Sequence, residues 1–243
     1  MTANEANITI ATPDGPMPAF EARPAEEAKG SILVVQEAFG VTPHIEDIAR
    51  RLATSGWHAV APAFFHRQGS PVFAYDDLNS VRPVMMDLTA DGITSDVVSA
   101  SDHLVSSGFT AKRTGVVGFC MGGSVTFYAA TLRSLGAAVT YYGGGVTEGR
   151  FGLPSLVEQA PQLQTPWLGL YGDLDQGIPS NDVELLRAAT TTTAVPTEIV
   201  RYDDADHGFN CNDRPTVFNA AVAADAWDRT LHWFDHHLVG DVT

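Results

Sequence analysis

The segment Thr114-Gly-Val-Val-Gly-Phe-Cys120-Met-Gly-Gly123 restricts the possible folds more than any other stretch of the chain. Thr114 to Phe119 carries no charge and reads as a strand buried on both faces, as in the middle of a parallel sheet. Helical periodicity follows at once, from Gly123 to Arg133. A strand passes into a helix within Gly118-Phe-Cys-Met-Gly122 only through a sharp, strained turn, whose clashes flanking glycines relieve. The residue at the apex, Cys120, is then lifted above the sheet edge at a helix N-terminus. Free N–H groups and the helix dipole there favour a thiolate over a thiol, and the thiolate is the nucleophilic form.

The remaining sequence supplies what such a turn needs around it. Ile8 to Ile10 and Met17 to Glu21, joined through Pro13-Asp-Gly15, read as an antiparallel hairpin. Ser31 to Gln36 is a second doubly buried strand, and Trp57 to Ala61, Gly136 to Tyr142, Trp167 to Tyr171 and Thr197 to Tyr202 are further strands. Between them lie helices. One opens with Thr42-Pro43, buries Ile45, Ile48, Ala49 and Leu52, and ends at Gly56; others cover Val97 to Val105 and Asn181 to Ala189. In the last helix Val217, Ala220, Ala224, Trp227, Leu231, Phe234 and Leu238 step by three and four as one stripe. Pro62 to Ser95 is the least regular part and is expected to shape a pocket. The pattern is α/β, a mostly parallel central sheet with helices on both faces. No linker, repeat or charge block divides it, so residues 1–243 are expected to form a single domain.

With 14 Lys+Arg against 29 Asp+Glu the formal net charge is -15, which opposes binding to nucleic acid or to an anionic membrane surface. No stretch approaches the ~18 consecutive apolar residues of a membrane span. Met1-Thr-Ala-Asn-Glu-Ala-Asn7 has neither the cationic start nor the apolar core of a signal peptide, and two cysteines make no disulfide framework. The expected location is therefore the cytoplasm, and the expected partner is a small molecule.

Two strand ends downstream of Cys120 carry the residues a nucleophile requires. Trp167 to Tyr171 runs into Gly172-Asp-Leu-Asp175, and Glu198 to Tyr202 runs into Asp203-Asp-Ala-Asp-His207-Gly-Phe209. Both lie at carboxyl ends of strands, where open α/β sheets build their sites. The order nucleophile, acid, histidine is that of an α/β-hydrolase. His207 is the expected general base, and Asp175 the group that fixes its tautomer. Asp173 is the rival acid, but two further residues of loop give Asp175 more reach. Asp206 is set aside because a sequence neighbour rarely turns its carboxylate to the adjacent imidazole. Glu37 follows the strand Ile32 to Gln36 at the same edge, and the backbone N–H groups of Ala38 and Met121 occupy the two positions where this fold takes its oxyanion donors.

These motifs together identify a resemblance. Val35-Gln-Glu37-Ala-Phe-Gly40-Val41, Gly118-Phe-Cys120-Met-Gly-Gly123, Tyr141-Tyr-Gly143, Gly172-Asp-Leu-Asp175 and Ala205-Asp-His207-Gly-Phe209 resemble the dienelactone hydrolase (carboxymethylenebutenolidase) family, in order, from about Ile8 to Leu238. Cysteine at the turn separates that family from serine esterases. The resemblance implies Cys120, Asp175 and His207 as a triad and Ala38 and Met121 as oxyanion donors. It also implies that Glu37 contacts the resting thiol and takes its proton when substrate displaces the carboxylate. Phe39 and Tyr142, inside the motifs, are candidates to line the substrate site. One departure stands out. The family's best-known members grip a substrate carboxylate with an arginine soon after the histidine, whereas Gly208-Phe-Asn-Cys-Asn-Asp213 contains no cation before Arg214. Arg67, Arg82 and Arg214 are the remaining candidates for that task.

His232 and His236 are one turn apart, but no third ligand accompanies them, so no metal is expected; nor does any motif call for a cofactor. Cys211 reads as a packing or pocket-wall residue. The expected activity is hydrolysis of a small ester or lactone through an acyl-cysteine. A general carboxylesterase or thioesterase is the alternative, as is a non-catalytic thiol sensor on the same fold. The sequence leaves the oligomeric state open.

Overall fold

The computed structural model describes residues 3–239. Eight strands form one sheet in the order β1-β2-β4-β3-β5-β6-β7-β8. Strands β1 (Asn4–Thr12) and β2 (Gly15–Arg23) are the expected hairpin, and β2 also pairs antiparallel with β4 (His58–Pro62). From β4 onward every pair is parallel: β3 (Ser31–Val35), β5 (Thr114–Phe119), β6 (Ala137–Tyr141), β7 (Trp167–Gly172) and β8 (Thr197–Tyr202). Every residue of β3 to β7 is buried, as their unbroken apolar runs require, while β8 is half-exposed at the edge. The mostly parallel sheet with its helices is the α/β-hydrolase architecture.

After β3 the chain crosses to β4 on one side and returns to β5 on the other. The carboxyl ends of β3 and β5 therefore flank the switch point at which open α/β sheets form their crevice. Glu37 and Ala38 leave the first of these ends, and Cys120 leaves the second.

Helices cover both faces. Helix α1 (Pro43–Thr54) starts as its sequence dictates: the Thr42 side chain accepts from the Ile45 N–H, and proline occupies the first turn. Ile45, Ile48, Ala49 and Leu52 are fully buried, and each large aliphatic among them contributes about 1.5–3 kcal/mol. The Arg51 guanidinium lies 3.9 Å over the Trp227 ring, placing α1 beside α7 (Ala220–Phe234). On the other face α3 (Ala90–Ser106), α4 (Met121–Leu132), α5 (Leu156–Gln159) and α6 (Ser180–Thr190) touch in succession.

The structure corrects several expectations. Residues 62–95 are more regular than their sequence suggests: α2 (Leu78–Met86) lies within them, capped by Asp77, and α3 begins seven residues before Val97, capped by Thr89. The first half of α3 looks polar because Asp96 is on its buried face, where it receives hydrogen bonds from His66 Nε2 (3.0 Å) and Arg67 Nη1 (2.8 Å). Helix α4 begins at Met121, directly after Cys120. In α7 the buried stripe is rotated from the expected one. Trp227 and Phe234 are buried as expected, but Val222, Ala223, Ala226 and Thr230 join them while Ala220 and Ala224 face outward. Among the described residues no helix is long and apolar enough to cross a membrane.

Candidate active site

Cys120 has φ 56° and ψ -116°, a conformation costly for any residue with a Cβ, and it caps the N-terminus of α4. Its neighbours explain how the turn closes. A Cβ on Gly118 would run into the Gly122 carbonyl and the Thr126 hydroxyl, and one on Gly122 would run into the carbonyls of Val35 and Gln36. A Cβ on Gly123 would stand 2.7 Å from the Tyr141 carbonyl oxygen. The three glycines let α4 press against the ends of β3, β5 and β6, and the Cys120 N–H donates to the Tyr141 carbonyl at 3.1 Å. The thiol sits half-buried at the apex.

His207 and Asp175 meet as the motif order predicts. Asp175 Oδ2 is 2.6 Å from His207 Nδ1, and Asp175 Oδ1 accepts the Gly177 N–H at 2.8 Å. The Leu174 N–H donates to the Ala205 carbonyl at 2.9 Å, tying the acid loop to the histidine loop. Asp173 points elsewhere, gripped at 2.7 Å through both its oxygens by the Arg201 guanidinium. Asp206 turns its carboxylate to the His207 backbone N–H at 2.6 Å and not to the ring. Burial disfavours the His207 imidazolium, but the Cys120 sulfur, when ionised, and the Asp175 carboxylate outweigh it and lift its pKa to about 10. With Cys120 ionised, the histidine holds a proton at neutral pH.

Across the switch point, the Gln36 side chain fixes the loop after β3. It accepts the Phe64 N–H at 3.1 Å and donates to the Glu37 carbonyl at 3.2 Å. Among the described residues, neither the Ala38 N–H nor the Met121 N–H donates to any acceptor. Met121 owes this to its place in the first helical turn. Glu37 is fully buried, and neither of its carboxylate oxygens has a hydrogen-bond partner among the described residues. An unpaired buried carboxylate is costly and marks a functional position more often than a structural one.

The expected substrate-contacting residues divide. Tyr142, at φ 39°, is fully buried beneath the histidine with its ring 5.0 Å from the His207 ring, and its hydroxyl has no partner among the described residues. Phe39 is buried against the Tyr75 ring at 4.7 Å. Arg214 lies against Gly208, next to His207, with its guanidinium 5.8 Å over the Tyr75 ring. Arg82 is exposed on α2. Arg67 is withdrawn from candidacy, because Asp14 and the buried Asp96 occupy its guanidinium. Among the described residues no group of three or more His, Cys, Asp or Glu side chains is arranged to hold a metal ion; His236 packs edge-on against His237.

Sequence reasoning missed Tyr75. Its hydroxyl is 3.1 Å from Thr42 Oγ1, and its ring joins Phe39 to Arg214. It also meets the Cys211 thiol, and Tyr75, Tyr142 and Cys211 all feel the Glu37 charge. Burial first, then the Glu37 charge, raises the acid strength threshold of all three: the two phenols move well above their usual range and the Cys211 thiol is pushed up to about 11. No periodicity or motif marks Tyr75; only the packing of its segment over the β3 loop does, through the Phe73 N–H bond to the Phe39 carbonyl at 2.9 Å.

Comparison with known proteins identifies the family. The model of the dienelactone hydrolase family matches residues 17–238. An Escherichia coli O157:H7 protein named "Putative carboxymethylenebutenolidase" is 40% identical over 91% of this chain and 83% of its own length. A similarly named protein of Methylorubrum extorquens is 36% identical over 96% of this chain and 81% of its own. Among solved structures, one described as a "Putative Dienelactone Hydrolase" of Klebsiella pneumoniae superposes with a TM-score of 0.89 at 35% identity, covering 97% of this chain and all of that one. The dienelactone hydrolase of Anabaena variabilis, 18% identical with a TM-score of 0.73, covers 98% of this chain and all of its own, and shares the fold. The chain belongs to the dienelactone hydrolase family of lactone and ester hydrolases.

Proposed function

We propose that the protein hydrolyses small esters or lactones with Cys120 as nucleophile, through an acyl-enzyme. The observation that carries the reading is the strained Cys120 at the N-terminus of α4 beside an imidazole held by Asp175 at 2.6 Å. Substrate binding displaces the Glu37 carboxylate, which takes the Cys120 proton, as the family resemblance implies. The thiolate attacks the carbonyl carbon, and the negative charge gathers on the carbonyl oxygen. The free N–H groups of Ala38 and Met121 are the donors offered to that oxygen, an arrangement worth several kcal/mol of barrier. Collapse breaks the carbon–oxygen bond, and the leaving alkoxide takes a proton from the His207 imidazolium. Neutral His207 then draws a proton from water as it adds to the thioester, and the second collapse releases the carboxylic acid and the thiolate. Phe39 and Tyr142 back the site, and Arg214 is the cation nearest its histidine loop.

The alternative of a thiol sensor has no use for the Asp175–His207 pair or for two unspent N–H groups beside the sulfur. Intact-mass spectrometry after mixing with a slowly turned-over activated ester tests the proposal. A single acyl adduct that peptide mapping places on Cys120, and loss of turnover in Cys120→Ala, are expected. An adduct elsewhere, or full turnover in the variant, would refute it.

A further inference from the structure

The loop after β3 carries the Glu37 carboxylate and the Ala38 N–H, and it is held from both sides. From within, the Gln36 amide donates to the Glu37 carbonyl at 3.2 Å. From outside it is covered by residues 71–75, an extended strap in which Pro71, Phe73 and Tyr75 are half-buried while Val72 and Ala74 are exposed. The Pro71 carbonyl presses on Gly40 so closely that a Cβ there would run into it, and the Phe73 N–H donates to the Phe39 carbonyl at 2.9 Å. Tyr75 meets the loop twice: its ring is 4.7 Å from the Phe39 ring, and its hydroxyl is 3.1 Å from Thr42 Oγ1. Thr42 Oγ1 also accepts the Ile45 N–H, so the threonine hydroxyl joins the strap, the end of the loop and the start of α1. From the histidine side, Arg214 lays its guanidinium 5.8 Å over the Tyr75 ring.

We propose that Tyr75 is a positioning residue for the loop after β3: by clamping Phe39 and Thr42 it holds the intervening backbone, and with it the Ala38 N–H, in the place where a reacting carbonyl oxygen would meet it. This rests on the reading of Ala38 as an oxyanion donor. Such a donor acts only within about 2.7–3.1 Å of the developing charge, and a displacement of about 1 Å can cost about 10² in rate. Ala38 cannot fix its own N–H. Its side chain is a methyl group, and the N–H donates to no acceptor among the described residues. Its orientation is therefore set by its two neighbours, Glu37 through the Gln36 amide and Phe39 through the strap. Tyr75 supplies the strap's ring contact to Phe39 and its only side-chain hydrogen bond to the loop among the described residues.

Three measurements on Tyr75→Ala and Tyr75→Phe test this: hydrogen–deuterium exchange of the peptide spanning residues 36–42, single-turnover acylation by an activated ester, and alkylation of Cys120 by iodoacetamide on the pH plateau of that reaction. Acylation builds negative charge on a carbonyl oxygen. Alkylation displaces iodide at a methylene carbon and needs no oxyanion donor. Tyr75→Ala should speed exchange in residues 36–42 and slow acylation about 10²-fold, with the alkylation rate unchanged. Tyr75→Phe keeps the ring on Phe39 and loses only the Thr42 contact, so its acylation rate should return to within about tenfold of wild type. Should Tyr75→Ala not fold, Tyr75→Leu, which keeps bulk without ring or hydroxyl, replaces it with the same expected results. A packing role alone would lower the melting temperature and affect acylation and alkylation alike. Unchanged exchange in residues 36–42, or equal losses in the two reactions, overturns the proposal. Faster exchange with unchanged acylation would leave the clamp standing and overturn the reading of Ala38 as an oxyanion donor.

Discussion

Asp175→Asn is the substitution whose outcome follows most directly from the geometry. The two oxygens of Asp175 have different tasks, since Oδ2 faces His207 Nδ1 at 2.6 Å while Oδ1 accepts the Gly177 N–H at 2.8 Å. An asparagine must satisfy the same two neighbours. If its amide nitrogen faced Gly177, two donors would be in contact, so the oxygen takes that position and the NH2 group turns to the histidine. Nδ1 then has to accept a hydrogen bond, and the proton moves to Nε2, leaving the imidazole unable to draw a proton from water. Wrong-tautomer substitutions of this kind cost about 10⁴ in rate, or about 5 kcal/mol of barrier. Asp173→Asn makes a different change. It weakens a part-exposed pair with Arg201, which keeps Glu184 as a second partner at 2.8 Å, so the cost is about 1 kcal/mol of stability or less. Turnover of an activated ester should therefore fall about 10⁴-fold in Asp175→Asn and less than tenfold in Asp173→Asn, with melting temperatures confirming that both are folded. Equal losses, or a folded Asp175→Asn that keeps a tenth of wild-type activity, would refute the tautomer argument.

Gly122→Ala puts a methyl group against the backbone carbonyls of Val35 and Gln36 at the end of β3, and chemical denaturation should show a loss of about 3 kcal/mol or no folded protein; a neutral result would mean that the turn is not as tight as described. His207 has a folded pKa of about 10 against 6.5 unfolded, so its proton stabilises the fold fully below pH 6.5, and that contribution drains away as pH rises to about 10. Melting temperatures measured across this range should fall more steeply for wild type than for Asp175→Asn, and parallel curves would count against the pairing. Net charge -15 and an unpaired Glu37 oppose a substrate carboxylate near Cys120, so a neutral methyl ester should be turned over with higher kcat/KM than the matching lactone carboxylate, the gap narrowing with salt. Arg214→Ala should widen the gap; a carboxylate that wins at every salt concentration and loses its advantage in Arg214→Ala would reverse the assignment.

The parts of this site that could be read from sequence are those whose position is dictated by local chemistry. Glu37, Cys120 and Asp175 each follow a strand that is buried on both faces and His207 follows the half-exposed edge strand β8, so their placement at one sheet edge follows from these strands being parallel. Loop reach also singled out Asp175, rather than Asp173, as the aspartate able to meet the His207 ring, which it does at 2.6 Å. What escaped was decided by contacts between distant segments. The start of α3 was hidden because Asp96 looks like a surface residue until His66 and Arg67 are seen to pair with it, and the same pairing removes Arg67 from the list of substrate cations. The α7 stripe was misjudged by one face because alanines at 220, 223, 224 and 226 weigh equally in any periodicity, and only the Tyr141 hydroxyl bonds to the Ala226 carbonyl and Thr230 orient the helix.

Tyr75 and Cys211 belong to this second class, and they show why it matters for function. Motifs place the reacting groups, but the proton affinities of those groups are set by whatever the rest of the chain packs against them. Where the resemblance to this family leads one to expect an arginine soon after the histidine, this chain has no cation before Arg214, and burial together with the Glu37 charge pushes the nearby Cys211 thiol up to about 11. A cation in that stretch would bind an anionic substrate; a neutral thiol would not. Cys211→Arg is therefore expected to raise kcat/KM for a lactone carboxylate relative to its methyl ester, and an unchanged ratio would show that this stretch does not set the charge of the accepted substrate.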